Sequence, residues 1–364
     1  MELRRCVKCT IPDTRPGIVF DEQGVCSACR HHENRKNVDW DARNKELVEL
    51  CNHYRKTDGQ YDCIIPVSGG KDSTYQVHVM KNLMGMNPLL VNVSNFSWTQ
   101  TGLHNYTNML TTFDCESLSL DLSPATAKKM FRYSFEVYGS PTWYWDRAVY
   151  TYPLYIADKL GIPLVVYGEN ISYEYGGPLA SDTPSAIDQI RNSVANSYGP
   201  EDFEMAGVKI ERQRWTDLSE EVANRTEPVY LSYFVPWSGS RNLLVAKAYG
   251  FRELDDYEER EGYVEQYDQI DAIGYLVHCW MKYPKYGHAR ATDVTSYWIR
   301  EGLVTRDRAM ELVKKHDHVL DLRVMHDFCE FCGYTHEEFL DIVDRWYNKD
   351  LFTGGDTGWI LNEK

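Results

Sequence analysis

The chain has 364 residues, enough for one large catalytic domain with smaller additions. Its formal net charge of −15 argues against a long basic face for a nucleic-acid backbone, though small anions need only backbone N–H groups and a few cations. No run approaches ~18 apolar residues, so no membrane-spanning helix is expected. The residues after Met1, Glu2-Leu3-Arg4-Arg5, begin no export signal. A reducing, cytoplasmic setting is therefore expected for the ten cysteines, in which paired cysteines bind metal more often than they form disulfides.

Residues 1–33 carry two pairs, Cys6-x-x-Cys9 and Cys26-x-x-Cys29, with sixteen residues between them. This is the spacing of a four-thiolate zinc site, and Pro12, Pro16, Gly17 and Gly24 between the pairs suit a small ribbon. So short a segment builds no core, so a metal would supply its folding energy. Four thiolates leave no open coordination position, and the zinc is expected to be structural. Residues 34–58 predict a polar linking helix, with Trp40, Leu47, Leu50 and Tyr54 at roughly helical spacing. Residues 59–250 alternate short apolar runs with helical patterns, which predicts an α/β domain with a parallel sheet. Strands are expected over 61–67, 88–93, weakly over 117–120, and over 163–167, the last after a helix over 147–160. Residues 251–364 read as a mostly helical cap over the substrate, without strand-like runs over 255–350.

Between the first strand and the next helix stands Ser68-Gly69-Gly70-Lys71-Asp72-Ser73. Adjacent glycines let the backbone turn tightly, so that successive N–H groups converge on an anion. Ser68 and Ser73 add hydroxyls, Lys71 a point charge for phosphate, and Asp72 an oxygen ligand for Mg²⁺. The spacing is not that of a Walker A loop. Ligands of open parallel sheets sit at the carboxyl ends of the strands. By that rule Val93 and Ser94, after the second strand, are expected beside the adenine. Gly168, after the fourth, is expected at the nucleotide, with Glu169, Asn170, Tyr173 and Glu174 as the substrate loop. Farther on, Lys282, Lys285 and Arg290 stand close together in an acidic chain. Lys285, supported by Arg290, is the candidate for neutralising charge on the α-phosphate. Cys329-x-x-Cys332 reads as two small buried residues at a helix end before Gly333, and Cys51, Cys63, Cys115 and Cys279 as structural.

The loop resembles the PP-loop, Ser-Gly-Gly-x-Asp-Ser, of the ATP pyrophosphatase superfamily, which includes GMP synthetase, asparagine synthetase, argininosuccinate synthetase and tRNA-thiolating enzymes. That resemblance implies an adenine-nucleotide hydrolase-like fold in which a substrate oxygen attacks the α-phosphate of ATP. Three further stretches extend it: the cysteine pairs with Pro16-Gly17-Ile18-Val19-Phe20-Asp21-Glu22 between them; Gly168-Glu169-Asn170 with Tyr173-Glu174-Tyr175-Gly176-Gly177; and Pro284-Lys285-Tyr286-Gly287 followed by Ile299-Arg300-Glu301-Gly302-Leu303 and Arg306. In combination the chain resembles the N-acetyl sugar amidotransferase family, which makes acetamidino sugars for O-antigen and modifies flagellin pseudaminic acid. Cys329 and Cys332 fall outside that family's pattern. The resemblance implies that the acetamido oxygen of a sugar, nucleotide-linked, is adenylated and replaced by nitrogen, with ATP, bound with Mg²⁺, split into AMP and pyrophosphate. Position 2 is Glu, where an N-terminal-nucleophile glutaminase has Cys, and no Gly-x-Cys-x-Gly elbow occurs. Ammonia is therefore expected from a separate glutaminase subunit or free in solution; no nucleic acid or membrane partner is expected, and the oligomeric state is left open. The rival expectation is a tRNA-thiolating PP-loop enzyme, for which Cys115 and Cys279 are the loose candidates as sulfur carriers.

Overall fold

The computed structural model describes residues 2–177, 182–190, 199–210, 213–216, 218–255, 260–355 and 358–363. Strand β2 (Pro88–Val93) is buried at every position, as a parallel strand covered on both faces must be. It pairs with β1 (Cys63–Pro66) on one side and β3 (Ser117–Leu120) on the other, and β1 pairs in turn with β4 (Leu164–Tyr167). A fifth strand, β5 (Glu227–Tyr230), borders β4, so the parallel sheet has the order β3-β2-β1-β4-β5. The α/β class and the four expected strands hold. β5 was not expected because it is four residues long and opens on a glutamate and a proline. Pro228 gives up a ladder donor, which an edge strand tolerates.

Alternation along the strands sends Cys63, Ile65, Leu90, Leu164 and Val166 to one face, against Val77 of helix Lys71–Val77 and Leu47 of helix Trp40–Tyr54. Ile64, Leu89, Val91 and Val165 point to the other, against Leu154 and Ala157 of helix Trp143–Leu160. The largest core cluster joins Phe131, Phe135 and Tyr144 to Leu276, Val277, Phe328 and Phe339, so the core runs across the 250/251 line.

Two details differ from expectation, and a third adds to it. The segment 34–58, expected as one linking helix, is a 3₁₀ turn Arg35–Asn37 and then a helix Trp40–Tyr54, started by the Asp39 carboxylate, which accepts the Ala42 N–H at 3.0 Å, and a helix Ser27–Asn34 precedes it within the ribbon. The C-terminal region is helical as read but ends in an antiparallel pair, β6 (Phe352–Gly355) and β7 (Gly358–Leu361). Its glycines masked the alternation of Phe352, Trp359 and Leu361, which pack with Leu3. Third, the N-terminal ribbon is docked, with Leu3 donating its N–H to Asn362 O at 3.1 Å. Among the described residues no helix is long and apolar enough to cross a membrane.

Candidate functional site

The strand order reverses between β1 and β4, and the loops leaving both strands face each other there, where open α/β sheets bind ligands. The loop after β1 turns at Gly69, whose φ is +89°; a Cβ there would sit 2.7 Å from backbone atoms of Tyr106. Only glycine fits. Ser68 Oγ accepts the Gly70 N–H at 3.3 Å, and the Ser73 and Thr74 hydroxyls each donate to Gly70 O at 3.0 Å. These bonds hold the turn open toward the sheet edge.

Lys71 is buried, with Nζ 2.7 Å from Asp72 Oδ2 and 2.5 Å from Asp268 Oδ1. Burial disfavours its charge, but the two carboxylates outweigh it and hold the ammonium well above its ordinary pKa. Asn242 Nδ2 donates to Asp72 Oδ1 at 2.7 Å, and Arg290 donates to Asp268 Oδ2 at 2.6 Å. Asp268 is thus shared between the loop lysine and the expected arginine. It sits on a turn of its own. The Glu265 carboxylate accepts the N–H groups of Tyr267 and Asp268, both at 2.8 Å, and Arg260 donates to Glu265 O at 2.9 Å and Asp268 O at 3.0 Å. Sequence reasoning missed Asn242, Arg260, Glu265 and Asp268. The available sign was the stretch 260–275, which holds Arg260, Glu265, Asp268 and Asp271 without helical or strand period; long irregular segments inside a domain are commonly functional. Arg290 Nε, Glu265 Oε1 and Asn242 Oδ1 are buried here without a hydrogen-bond partner among the described residues. Such groups are costly unless a polar ligand meets them.

After β4, Gly168 lies under Trp237, whose ring would be 3.1 Å from a Cβ at that position. At the next residue, Glu169, burial, then the negative charge of Asp72, push the carboxyl up to about 7. The other three expected substrate residues are engaged in holding their own loop. Asn170 Oδ1 accepts the Tyr173 N–H at 3.1 Å and starts helix Ile171–Tyr175. Tyr173 stacks on His31 with ring centroids 4.7 Å apart, and Glu174, buried, is ion-paired with Arg35. Val93 is buried at the end of β2; Ser94 accepts from Trp98 Nε1 at its hydroxyl, 3.1 Å, and from Trp145 Nε1 at its carbonyl, 3.2 Å. Lys285 donates to Gly139 O at 2.8 Å, and burial, then Lys282, lower its pKa to about 8. The structure therefore brings Lys71, Asp72, Glu169 and Arg290 together, and gives Lys285 a different partner.

The four N-terminal cysteines are buried, and their sulfurs lie within 4.8 Å of one another. A tetrahedral zinc with ~2.3 Å bonds needs sulfurs about 3.8 Å apart, so the cluster fits that ion. Backbone N–H groups of Lys8 and Cys26 point at Cys6 Sγ, at 3.4 and 3.3 Å, as they do around metal-bound thiolates. Cys329 and Cys332 lie in the largest core cluster, and burial pushes the Cys329 thiol up to about 11.

Residues 260–364 match the family model described as the C-terminal domain of WbpG-like LPS biosynthesis proteins. The match is to that domain of those proteins and covers less than a third of this chain. It covers Glu265, Asp268 and Arg290, so the matched segment supplies Asp268, which pairs with the loop lysine, and Arg290, which pairs with Asp268. Over 123 residues the chain is also 26% identical to the uncharacterized protein MJ1599 of Methanocaldococcus jannaschii, an alignment covering 32% of this chain and 43% of that protein.

Proposed function

We propose that the protein is an ATP-dependent amidotransferase of lipopolysaccharide biosynthesis, which converts the acetamido group of a nucleotide-linked sugar into an acetamidino group. One observation carries the reading. Asp268, from the segment matched to LPS biosynthesis proteins, pairs with Lys71 of a PP-loop-like turn at the switch point of the sheet and joins it to Arg290 of the same segment.

An amide oxygen is a poor leaving group. When it attacks the α-phosphorus of ATP, pyrophosphate departs and the amide becomes an imidate-like ester. Ammonia then adds to the imidate carbon, and AMP leaves with the original oxygen. Lys71 and the turn at Gly69 suit the pyrophosphate, and Arg290, with its unpartnered Nε, suits charge developing on the α-phosphate. Asp72 is the residue for Mg²⁺, which would neutralise phosphate charge. Glu169, titrating near neutrality, is matched to taking the proton that the attacking ammonia sheds. The four-cysteine ribbon would carry a structural zinc with no place in the chemistry. Ammonia would come from a separate glutaminase or from solution.

The test is AMP and pyrophosphate release from ATP, with ammonium present, across a panel of nucleotide-linked acetamido sugars. Release coupled to a product in which one oxygen has become NH supports the reading; no release with any sugar sinks it. Thiolation of tRNA is the second reading, and release with unmodified tRNA and a sulfur donor would favour it. Burial pushes the thiols of Cys115 and Cys279 up, away from the thiolate a sulfur carrier needs.

A further inference from the structure

Asp268 stands out because it binds two cations and is positioned without either. One oxygen takes Lys71 Nζ at 2.5 Å, and the other takes Arg290 at 2.6 Å. Its backbone is held separately, by the Glu265 carboxylate at its N–H and by Arg260 at its carbonyl, 2.8 and 3.0 Å away. Arg260 and Glu265 are themselves buried. The turn would therefore keep its shape if both cations let go. Arg290, by contrast, is lightly held. Its Nε is buried and unpartnered, and the nearest Glu265 oxygen is 4.0 Å away, beyond hydrogen-bond length.

Apart from Glu169, whose carboxyl is pushed up to about 7, the charges balance as the cluster stands. Lys71, Arg260 and Arg290 face Asp72, Asp268 and Glu265. A polyphosphate brings several negative charges into this neutral, half-buried site, and its oxygens prefer the same two cations that Asp268 holds. Carboxylate and phosphate compete for them, because both are anionic oxygen acceptors for ammonium and guanidinium donors.

We propose that Asp268 is a positioning residue that acts as a stand-in anion: it holds Lys71 and Arg290 in place while the phosphate site is empty and yields them to a polyphosphate when one enters. The proposal rests on the nucleotide reading of the loop. No covalent bond changes in this step; two ion pairs are exchanged for two others. Asp268 thereby compensates the buried Arg290 and adds to the Asp72 carboxylate at Lys71, and the incoming phosphates find both cations at hand. The cost is weaker binding in the ground state, since the carboxylate stays nearby as a repelling charge.

The exchange separates binding from turnover in a way a merely structural carboxylate would not. Asp268→Asn keeps the backbone bonds of the turn and nearly the same shape, and removes the competing charge. Calorimetric titration of Mg²⁺-pyrophosphate and of MgATP into wild type and variant is the measurement, beside the turnover assay above. The variant is expected to bind pyrophosphate about tenfold tighter while turnover falls about tenfold or more, because Lys71 and Arg290 are no longer aimed. Asp268→Glu, which retains the charge, is expected to return pyrophosphate affinity to within about twofold of wild type. Equal or weaker pyrophosphate binding by Asp268→Asn overturns the proposal and marks the residue as a metal ligand or a plain structural group. Wild type that binds neither probe sinks the nucleotide reading and the exchange with it; wild type that binds both while the variant matches it sinks the exchange alone. If Asp268→Asn does not fold, Arg290→Gln reads the same step, with pyrophosphate affinity about tenfold lower expected and unchanged affinity as the refuting result.

Discussion

At the scale of single residues, two positions are set by opposite constraints. Gly69 is a steric requirement: φ of +89° and a Cβ 2.7 Å from the Tyr106 backbone leave no room for a side chain. Gly69→Ala is expected to cost about 3 kcal/mol, read as a lowered urea midpoint with unchanged slope. Glu169 is an electrostatic one. Its carboxyl rises from 4.5 to about 7 on folding, so between those values the folded state holds a proton that the unfolded chain has released. Its share of stability is full below pH 4.5 and is lost as pH rises through about 7, a difference of about 3 kcal/mol. Glu169→Gln should then match wild type near pH 5 and exceed it at pH 8. Parallel denaturation curves at the two pH values test this, and a variant no more stable at pH 8 refutes it.

At the scale of elements, the ribbon is a strut for the site. His31 Nδ1 lies 3.1 Å from Tyr173 O, the Tyr173 hydroxyl donates to His31 O at 3.2 Å, and Ser27 Oγ donates to Gly176 O at 3.3 Å. A Cβ on Gly176 would strike Ile18 at 2.5 Å, so the loop after β4 lies tight against residues 15–35. On its other side Thr10 Oγ1 meets the Thr295 and Ser296 hydroxyls at 3.0 and 2.8 Å, and Arg15 pairs with Asp293 at 2.5 Å, all three on helix Arg290–Arg300. Folding of the cysteine cluster therefore positions both Glu169 and Arg290. Cys6→Ser with Cys9→Ser should lower bound zinc and raise hydrogen exchange over 171–177 and 290–300, with β1 and β2 still protected. Unchanged exchange in those two segments would show that the ribbon holds nothing.

At the scale of the whole molecule, the cap and the α/β part share one interior. Phe135, before residue 250, stacks on Phe339, and Phe328 meets both. Fragments 1–250 and 251–364 made separately would each expose that aromatic surface, so neither is expected to show a cooperative thermal transition. A sharp transition from either fragment would establish an independent core. The same sharing explains the site: a cap packed this way delivers Asp268 to Lys71 from 197 residues away.

What the sequence by itself determined is what short stretches of chain can dictate. The cysteine spacing called for a closed four-sulfur cluster, and the sulfurs are gathered. The apolar runs at 61–67, 88–93, 117–120 and 163–167 called for a parallel sheet, and four of its strands lie there. The two glycines before Lys71 called for a tight turn between strand and helix, and one stands at positive φ. In each case a short local pattern marks the element, so composition and spacing carry the information. The tertiary structure alone decided which distant charges meet. Asp268, Glu265 and Asn242 have no motif to announce them, because an acidic residue in an irregular stretch looks like any solvated one until packing buries it beside Lys71. Lys285 and Arg290 look equivalent in the sequence, five residues apart. Gly287, with φ of +74°, ends the helix bearing Lys285, and Arg290 opens the next one, so the first donates to Gly139 and the second to Asp268. Burial and chain direction, set by the shared core, separated two cations that local reading had joined.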